Sequence, residues 1–138
     1  MNRALAGAAA VALLCLRVPC SAGAENPVPW EAPAEAKELQ NPIKMDPRTV
    51  ERGGRLYKQL CLPCHGATGG GDGAMAKKLG FKPADLTLAR LAQQRDGELF
   101  WKISKGRKPM PEFEKDLSQR ERWDLVSYVR TLLKNGVE

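Results

Sequence analysis

The CLPCH pentapeptide at residues 61–65 constrains this chain more than any other segment. Two thiols three positions apart can each add to one vinyl group of a porphyrin, and the next residue places an imidazole under the iron. The pattern therefore predicts one covalently bound haem c, attached through Cys61 and Cys64, with His65 as the first axial ligand. A chain that carries this motif folds around a large apolar cofactor, which supplies part of the core.

Two other chemistries use a Cys-x-x-Cys pair, a thiol redox centre and half of a zinc site. A redox centre of the thioredoxin type lies beside a βαβ pattern, and this sequence has no such pattern. A structural zinc site needs four ligands, whereas the chain contains one histidine. The sequence therefore favours haem attachment.

The N-terminus has the pattern of a secretory signal. Residues 4–16 are an almost unbroken apolar run, and residues 22–24 form a small-residue cleavage site. The run is shorter than the ~20 residues that span a bilayer. We predict a signal peptide over residues 1–24 and a periplasmic protein, soluble or peripherally membrane-associated, with no transmembrane segment after cleavage. Lipidation at Cys20 is the less favoured alternative, since its two preceding residues fit that signal poorly.

Charge is distributed unevenly along the chain. Loss of Arg3 and Arg17 with the signal lowers the formal net charge from +6 to +4. Residues 77–108 contain nine basic and three acidic residues. This segment predicts docking to the acidic surface of a redox protein, with an ordinary solvated face as the equal alternative. No dense basic stripe with interleaved aromatics indicates nucleic-acid binding.

The rest of the chain divides into an arm and one domain. Residues 25–45 contain four prolines and little periodicity, which predicts an extended proline-rich arm or linker. Residues 46–138 are the predicted haem domain. Helical periodicity without any alternating strand pattern predicts an all-α fold for this domain.

Local signals place the helices of the haem domain. Asp46 and Pro47 are a suitable N-cap and first residue for a helix that runs toward Leu60. Ser118 and Glu121 form a capping box for the last helix. The other predicted elements are a glycine-rich turn over residues 66–73, short helices over 74–79 and 96–106, and a helix stop at 135–136. The apolar positions predicted for the last helix are Trp123, Leu125, Val126, Val129, Leu132 and Leu133.

The second axial ligand cannot be another histidine of this chain, which leaves methionine, lysine, water or an external group. Met45 precedes the first helix of the predicted domain. Met75 follows the motif so closely that it would need a tight reversal to reach the opposite face. Met110 lies between two prolines, which cannot continue a helix and would stiffen an extended approach to the iron. We therefore predict Met110 as the second ligand, with core packing as the alternative.

From about residue 49 to residue 133 the sequence resembles class I monohaem c-type cytochromes of the short bacterial periplasmic type. The most specific matches are the CLPCH motif, Met110 in an MPxF setting and the WDLVSYV run near the C-terminus. Gly53 and Tyr57 stand eight and four residues before Cys61, as in that family. The resemblance implies a small helical cytochrome c-like domain wrapped around one covalently bound haem.

The resemblance also implies particular contacts. In the family the first and last helices cross near a small glycine and aromatic residues, and the matching residues are Gly53, Tyr57, Leu125 and Tyr128. A loop proline accepts a hydrogen bond from the ligating imidazole through its carbonyl, and Pro83 is similar to it. Candidate haem propionate partners by resemblance are Arg90, Trp101 and Arg107.

A haem iron filled by His65 and Met110 has no open position for a substrate, so the expected role is one-electron transfer and not catalysis. Methionine ligation raises the reduction potential relative to histidine, which suits electron delivery toward an oxidant. The expected protein is a periplasmic carrier between respiratory or dehydrogenase partners. One alternative is a haem subunit permanently docked to a dehydrogenase or terminal oxidase, with the arm as its tether. A less favoured alternative is a ligand-binding or peroxidase-like haem protein with a labile methionine.

Overall fold

The computed structural model describes residues 29–134, and within them the secondary structure is helical, with one isolated β-bridge. The all-α prediction is therefore confirmed for this part of the chain. The helices are α1 (Ala34–Glu38), α2 (Pro47–Leu60), α3 (Leu62–His65), α4 (Ala74–Leu79), α5 (Ala89–Ala92), α6 (Asp96–Lys105) and α7 (Gln119–Lys134). The predicted signal peptide and the predicted helix stop at residues 135–136 lie outside the described residues.

Side-chain caps set the starts of the two long helices. At α2 the Asp46 carboxylate accepts the backbone N–H of Thr49 at 2.8 Å, and Pro47 occupies the first turn. Before α7 the Glu121 carboxylate accepts the N–H of Ser118 at 2.8 Å, while the Ser118 hydroxyl accepts the N–H of Glu121 at 3.3 Å. Both predicted caps are confirmed. They fix where the chain enters the two helices that support the pentapeptide.

The long helices α2 and α7 cross at a glycine. A Cβ atom at position 53 would lie 2.1 Å from the Asp124 carbonyl oxygen and 2.8 Å from the Tyr128 Cβ atom. One turn further along α2, the Tyr57 ring lies 5.0 Å from the Tyr128 ring, centroid to centroid. The helix crossing implied by the resemblance is thus confirmed at these residues. It buries Tyr57, which has 1% of its surface exposed and lies four residues before Cys61.

The main hydrophobic core lies on the other side of α7, against α6. The Phe100 and Trp123 rings stack with centroids 4.1 Å apart and planes 17° from parallel. All six apolar positions predicted for the last helix are buried. The residues of this core are Leu91, Leu99, Phe100, Trp123, Val126, Val129 and Leu133.

Residues 29–45, which we call the N-terminal strap, differ from the predicted extended arm. They contain helix α1, and Ala32 and Ala36 of the strap are buried. A Cβ atom at Gly97 in α6 would lie 2.0 Å from the Ala36 carbonyl oxygen and 2.6 Å from that of Leu39. The strap therefore packs backbone to helix on α6. Its composition is typical of a linker, but the missing side chain at Gly97 allows the strap backbone at Ala36 and Leu39 to pack this closely.

Candidate haem site

The pentapeptide is held in a single helical turn. Helix α2 ends at Leu60, and the Cys61 carbonyl then accepts the N–H groups of Cys64 at 3.1 Å and His65 at 2.8 Å. Gly66 ends the turn with a φ of +81°, a conformation that favours glycine. Residues three apart on a helical turn lie on the same side of it. The two half-buried thiols are thus spaced as attachment to one porphyrin requires.

The Cys61 thiol does not have the character of a reactive redox thiol. Burial, together with the neighbouring Cys64, raises the pKa of the Cys61 thiol to about 12. Reactive thiols have lowered pKa values, because the thiolate is the nucleophile. Within residues 29–134, no three His, Cys, Asp or Glu side chains converge to hold a metal ion. The geometry fits neither of the two alternative chemistries of the pair.

The His65 ring is oriented by a backbone carbonyl. Its Nδ1 atom lies 3.0 Å from the carbonyl oxygen of Ala84, so Nδ1–H donates and Nε2 keeps the lone pair that a metal needs. Burial lowers the pKa of His65, and the hydrogen bond to Ala84 opposes this effect. The acceptor expected from the resemblance, Pro83, is wrong by one residue. The Pro83 carbonyl instead faces Gly71, where a Cβ atom would lie 2.8 Å from its oxygen.

The glycine-rich turn after the motif folds back onto the motif's own backbone. The N–H of Gly71 donates to the His65 carbonyl at 2.8 Å, and that of Gly73 donates to the Cys64 carbonyl at 3.1 Å. A Cβ atom at Gly73 would lie 2.6 Å from the same Cys64 oxygen. The buried Tyr57 hydroxyl donates to the Gly66 carbonyl at 2.8 Å. The predicted turn is confirmed, and it satisfies the carbonyl groups at the end of the haem motif.

Met110 lies in a tight turn that follows α6. Arg107 and Met110 exchange backbone hydrogen bonds, N to O at 3.1 Å and 2.9 Å, which form the isolated β-bridge. The extended approach predicted for this stretch is therefore wrong, because paired backbone groups close the chain on itself. The Met110 side chain is half-buried, whereas those of Met45 and Met75 are each 43% exposed.

The loop after Met110 is fastened to the C-terminal end of α6. The Phe113 N–H donates to the carbonyls of Ile103 and Ser104, and the Ser104 hydroxyl accepts a hydrogen bond from the buried Arg122 guanidinium. A Cβ atom at Gly106 would lie 2.4 Å from the Pro111 carbonyl oxygen. Motif reasoning could not find Ser104 or Arg122, because neither residue belongs to a sequence signature of haem binding.

The side chains around the motif fit a flat apolar group. Seven partly buried residues pack against the small cluster of Tyr57, Leu125 and Leu132 without being covered completely. They come from four helices and two loops, and they are Leu56, Cys61, Leu62, Leu86, Ile103, Leu117 and Tyr128. Two thiols on one side, an oriented imidazole and this apolar wall form a donor set and lining that suit a haem c.

The three residues predicted as haem propionate partners lie in two separate parts of the structure. Trp101 and Arg107 both lie around Trp30 of the N-terminal strap, with ring centroids 6.4 Å apart for the two tryptophans. Arg90 is exposed on α5. Sequence reasoning missed Trp30, although a tryptophan in a segment otherwise poor in large apolar residues was a signal that the segment packs on the domain.

Among the residues that the structure describes, no helix is both long enough and apolar enough to cross a lipid bilayer.

Comparisons with known proteins agree with this geometry. Residues 48–129 match the family described as "Cytochrome C oxidase, cbb3-type, subunit III". The chain is 28% identical over 89 residues to a cytochrome bc1 complex cytochrome c subunit of Corynebacterium efficiens. That alignment covers 64% of this chain and 27% of the relative, so the chain spans about a quarter of that protein's length.

A solved structure is similar as well. It is a chain of the reducing HAO-like protein complex of Kuenenia stuttgartiensis, 34% identical, with a TM-score of 0.57. The match covers 67% of this chain and 47% of that one. The residues matched by the family include the pentapeptide. Both relatives are named as parts of larger complexes.

Proposed function

The chain belongs to the cytochrome c family described as cytochrome c oxidase, cbb3-type, subunit III, and on this premise we propose that it is a periplasmic monohaem cytochrome that carries single electrons between respiratory or dehydrogenase partners. The observation that carries the proposal is the helical turn at residues 61–65. It places two thiols on one side and leaves the His65 ring oriented by the Ala84 carbonyl at 3.0 Å.

Four side chains of this chain would hold the cofactor. Cys61 and Cys64 would form the two thioether bonds, and His65 and Met110 would be the two protein ligands of the iron. When bound, the haem supplies an iron that takes up and gives up one electron. The Ala84 carbonyl fixes the imidazole, which raises its basicity. The half-buried apolar side chains around Tyr57 exclude water. If His65 and Met110 both bind the iron, the chain itself would offer no substrate position there, and we propose a carrier and not an enzyme.

Intact mass tests this proposal directly. Protein purified from the periplasm of a host that matures c-type cytochromes is expected to have the mass of residues 25–138 plus one haem, retained after denaturation. The matched Cys61→Ser/Cys64→Ser variant is expected to lose the haem, because no thioether can form. Wild-type protein without covalently retained haem would refute the cytochrome assignment. A diacylglycerol adduct at Cys20 would replace the soluble form by a lipoprotein.

A second candidate is a permanent subunit of a larger redox complex, which the printed names of the two relatives support. Residues 29–45 pack on α6 of their own domain, so they would not serve as a free tether. The two candidates differ in the size of the native particle. Gel filtration of a mild periplasmic extract, followed by haem staining, would detect a free small protein for the carrier and a large complex for the subunit.

The surface of α4 is the best docking site for an acidic partner. Of the nine cations in residues 77–108, Arg95 pairs with Glu38 at 3.1 Å and Lys105 pairs with Glu114 at 2.5 Å. Within residues 29–134 no acidic side chain pairs with Lys77 or Lys78. These two lysines lie beside Met75 and Leu79, whose side chains are 43% and 60% exposed. An apolar centre with a charged rim is typical of interfaces that combine contact with electrostatic steering.

Reversal of the α4 charges is expected to change electron-transfer rates in opposite directions for probes of opposite charge. In Lys77→Glu/Lys78→Glu, oxidation of the ferrous protein by ferricyanide is expected to slow about tenfold at low salt, and oxidation by tris(phenanthroline)cobalt(III) is expected to accelerate. Both effects should fade as ionic strength rises, because the Debye length falls to about 8 Å at 0.15 M. Stopped-flow kinetics at several salt concentrations give these rates.

A matched control carries the same change in net charge at a distant place. Arg48 and Arg120 are exposed, and Arg48 lies on the first turn of α2. Because a helix rises 1.5 Å per residue, Arg48 is about 20 Å from the motif end of α2. Arg48→Glu/Arg120→Glu should therefore alter both rates far less. Equal effects from the two double variants would mean that only net charge matters and that α4 is an ordinary solvated face.

A further inference from the structure

The N-terminal strap follows α6 along its length. At the start of α6, the Ala36 carbonyl lies against Gly97, where a side chain would collide with it. The Arg95 guanidinium lies 3.1 Å from the Glu38 carboxylate. At the end of α6, the strap places Trp30 against Trp101, with ring centroids 6.4 Å apart. The ten residues of α6 extend about 15 Å. The strap thus contacts both ends of the helix that leads into the Met110 turn, and it lies before the residues matched by the family.

Trp30 contacts two cations at that end of α6. The Arg107 guanidinium carbon lies 5.0 Å from the centroid of the Trp30 ring, and the Lys102 ammonium lies 5.8 Å from it. Both distances are within the range of about 6 Å in which a cation is attracted to an aromatic face. Burial lowers the pKa of Lys102. The Trp30–Arg107 contact is the shorter of the two, and a planar guanidinium can also stack on an aromatic face.

Arg107 is also the residue that pairs with Met110. Its N–H donates to the Met110 carbonyl at 3.1 Å, and its carbonyl accepts the Met110 N–H at 2.9 Å. Trp30 is therefore linked to the backbone of Met110 through one intervening residue. The side chain of Arg107 contacts the strap, while its backbone closes the turn.

We propose that Trp30 is a positioning residue that holds the Met110 turn in place through Arg107. This inference rests on the proposed function, since it matters only where Met110 binds the iron. The ring of Trp30 acts through its neighbours, since it lies against Trp101, Lys102 and Arg107. Loss of the Trp30 ring removes the contact between the strap and Arg107, which allows the turn to open more often, so that Met110 leaves the iron at a higher rate.

The test measures how fast imidazole replaces Met110 in the ferric holoprotein. At saturating imidazole the replacement rate is limited by dissociation of Met110 from the iron. This rate is expected to rise about fivefold in Trp30→Ala. Trp30→Phe keeps an aromatic face toward Arg107 and should stay within about twofold of wild type. The far-red absorption band of methionine-ligated ferric haem should weaken in Trp30→Ala at the same time.

Arg107→Gln provides an independent variant at an exposed position, which tests the link even where Trp30→Ala fails to fold. It is expected to raise the rate at least as much as Trp30→Ala does. Adding Trp30→Ala to Arg107→Gln should raise the rate little further, because both changes remove the Trp30–Arg107 contact. Arg95→Ala is the control, since it removes a strap contact at the far end of α6.

Two results would overturn the proposal: an unchanged rate in both Trp30→Ala and Arg107→Gln, or an equal rise in Arg95→Ala, which would indicate general loosening. Failure of the proposed function gives a different signature. In that case the wild-type protein itself lacks a covalent haem or the far-red band, whatever residue stands at position 30.

Discussion

Ferrous Met110→Ala protein is expected to bind carbon monoxide readily, whereas the wild-type protein should bind it slowly and incompletely. The sulfur of Met110, the proposed second ligand, is the half-buried donor among Met45, Met75 and Met110. Alanine would leave its place at the iron to water or to an added ligand. The reduction potential should fall by an amount on the order of 0.1 V, within the span of roughly 0.8 V that axial ligands set. Absorption spectra with and without carbon monoxide, and a redox titration, measure both effects.

Covalent attachment should survive this substitution, because the bonds to the porphyrin are proposed to come from Cys61 and Cys64 and not from Met110. The denatured Met110→Ala protein should therefore keep the mass of one haem. Met75→Ala is the matched control, since Met75 is 43% exposed on α4. If Met75→Ala opened the iron and Met110→Ala did not, the ligand assignment would be wrong.

Features encoded by neighbouring residues could be predicted from the sequence. The start of α2 follows from Asp46 and Pro47, and the start of α7 follows from the Ser118 and Glu121 pair. Capping depends on residues within one turn of each other, so tertiary context hardly alters it. The same holds for the pentapeptide, because attachment chemistry depends on a fixed local spacing.

Features decided by distant packing could not be predicted in this way. The four prolines in residues 25–45 predicted a linker. In the structure, the backbone at Ala36 lies against Gly97, which is 61 positions later in the sequence. A single glycine in α6 carries no signal that another backbone lies against it. The composition of a segment indicates how much conformational entropy is lost when the segment is ordered. It does not show which distant residues pack against the segment and offset that loss.

The loop that orients His65 shows the limit of a resemblance. Pro83 was the expected acceptor, and the ring donates to Ala84 instead. Gly71, with a φ of +78°, approaches the Pro83 carbonyl closely, and the long glycine turn thereby sets the register of the opposite loop. Because any backbone carbonyl can accept a hydrogen bond, a shift of the loop by one residue keeps the bond to His65 but changes which residue accepts it.

Gly53→Ala is expected to destabilise the folded protein by about 2–3 kcal/mol, although alanine is the better helix former by about 1 kcal/mol. Its Cβ atom would lie 2.1 Å from the Asp124 carbonyl oxygen, which belongs to the backbone of α7 and cannot rotate away. The helices must therefore move apart. Separation would loosen Tyr57, whose hydroxyl holds the Gly66 carbonyl directly after His65.

Gly54→Ala is a matched control on the same helix. Its Cβ atom would lie 3.0 Å and 3.1 Å from two atoms of the Tyr128 ring, which can shift by a few tenths of an ångström. We expect a stability within about 1 kcal/mol of wild type, because the helix propensity gained offsets the tighter contact. Guanidinium unfolding, followed by far-UV circular dichroism and by haem absorbance, compares the two variants. Equal midpoints would show that the α2–α7 crossing tolerates a methyl group at position 53. A lower midpoint by both probes for Gly53→Ala alone would show that this crossing supports the haem motif.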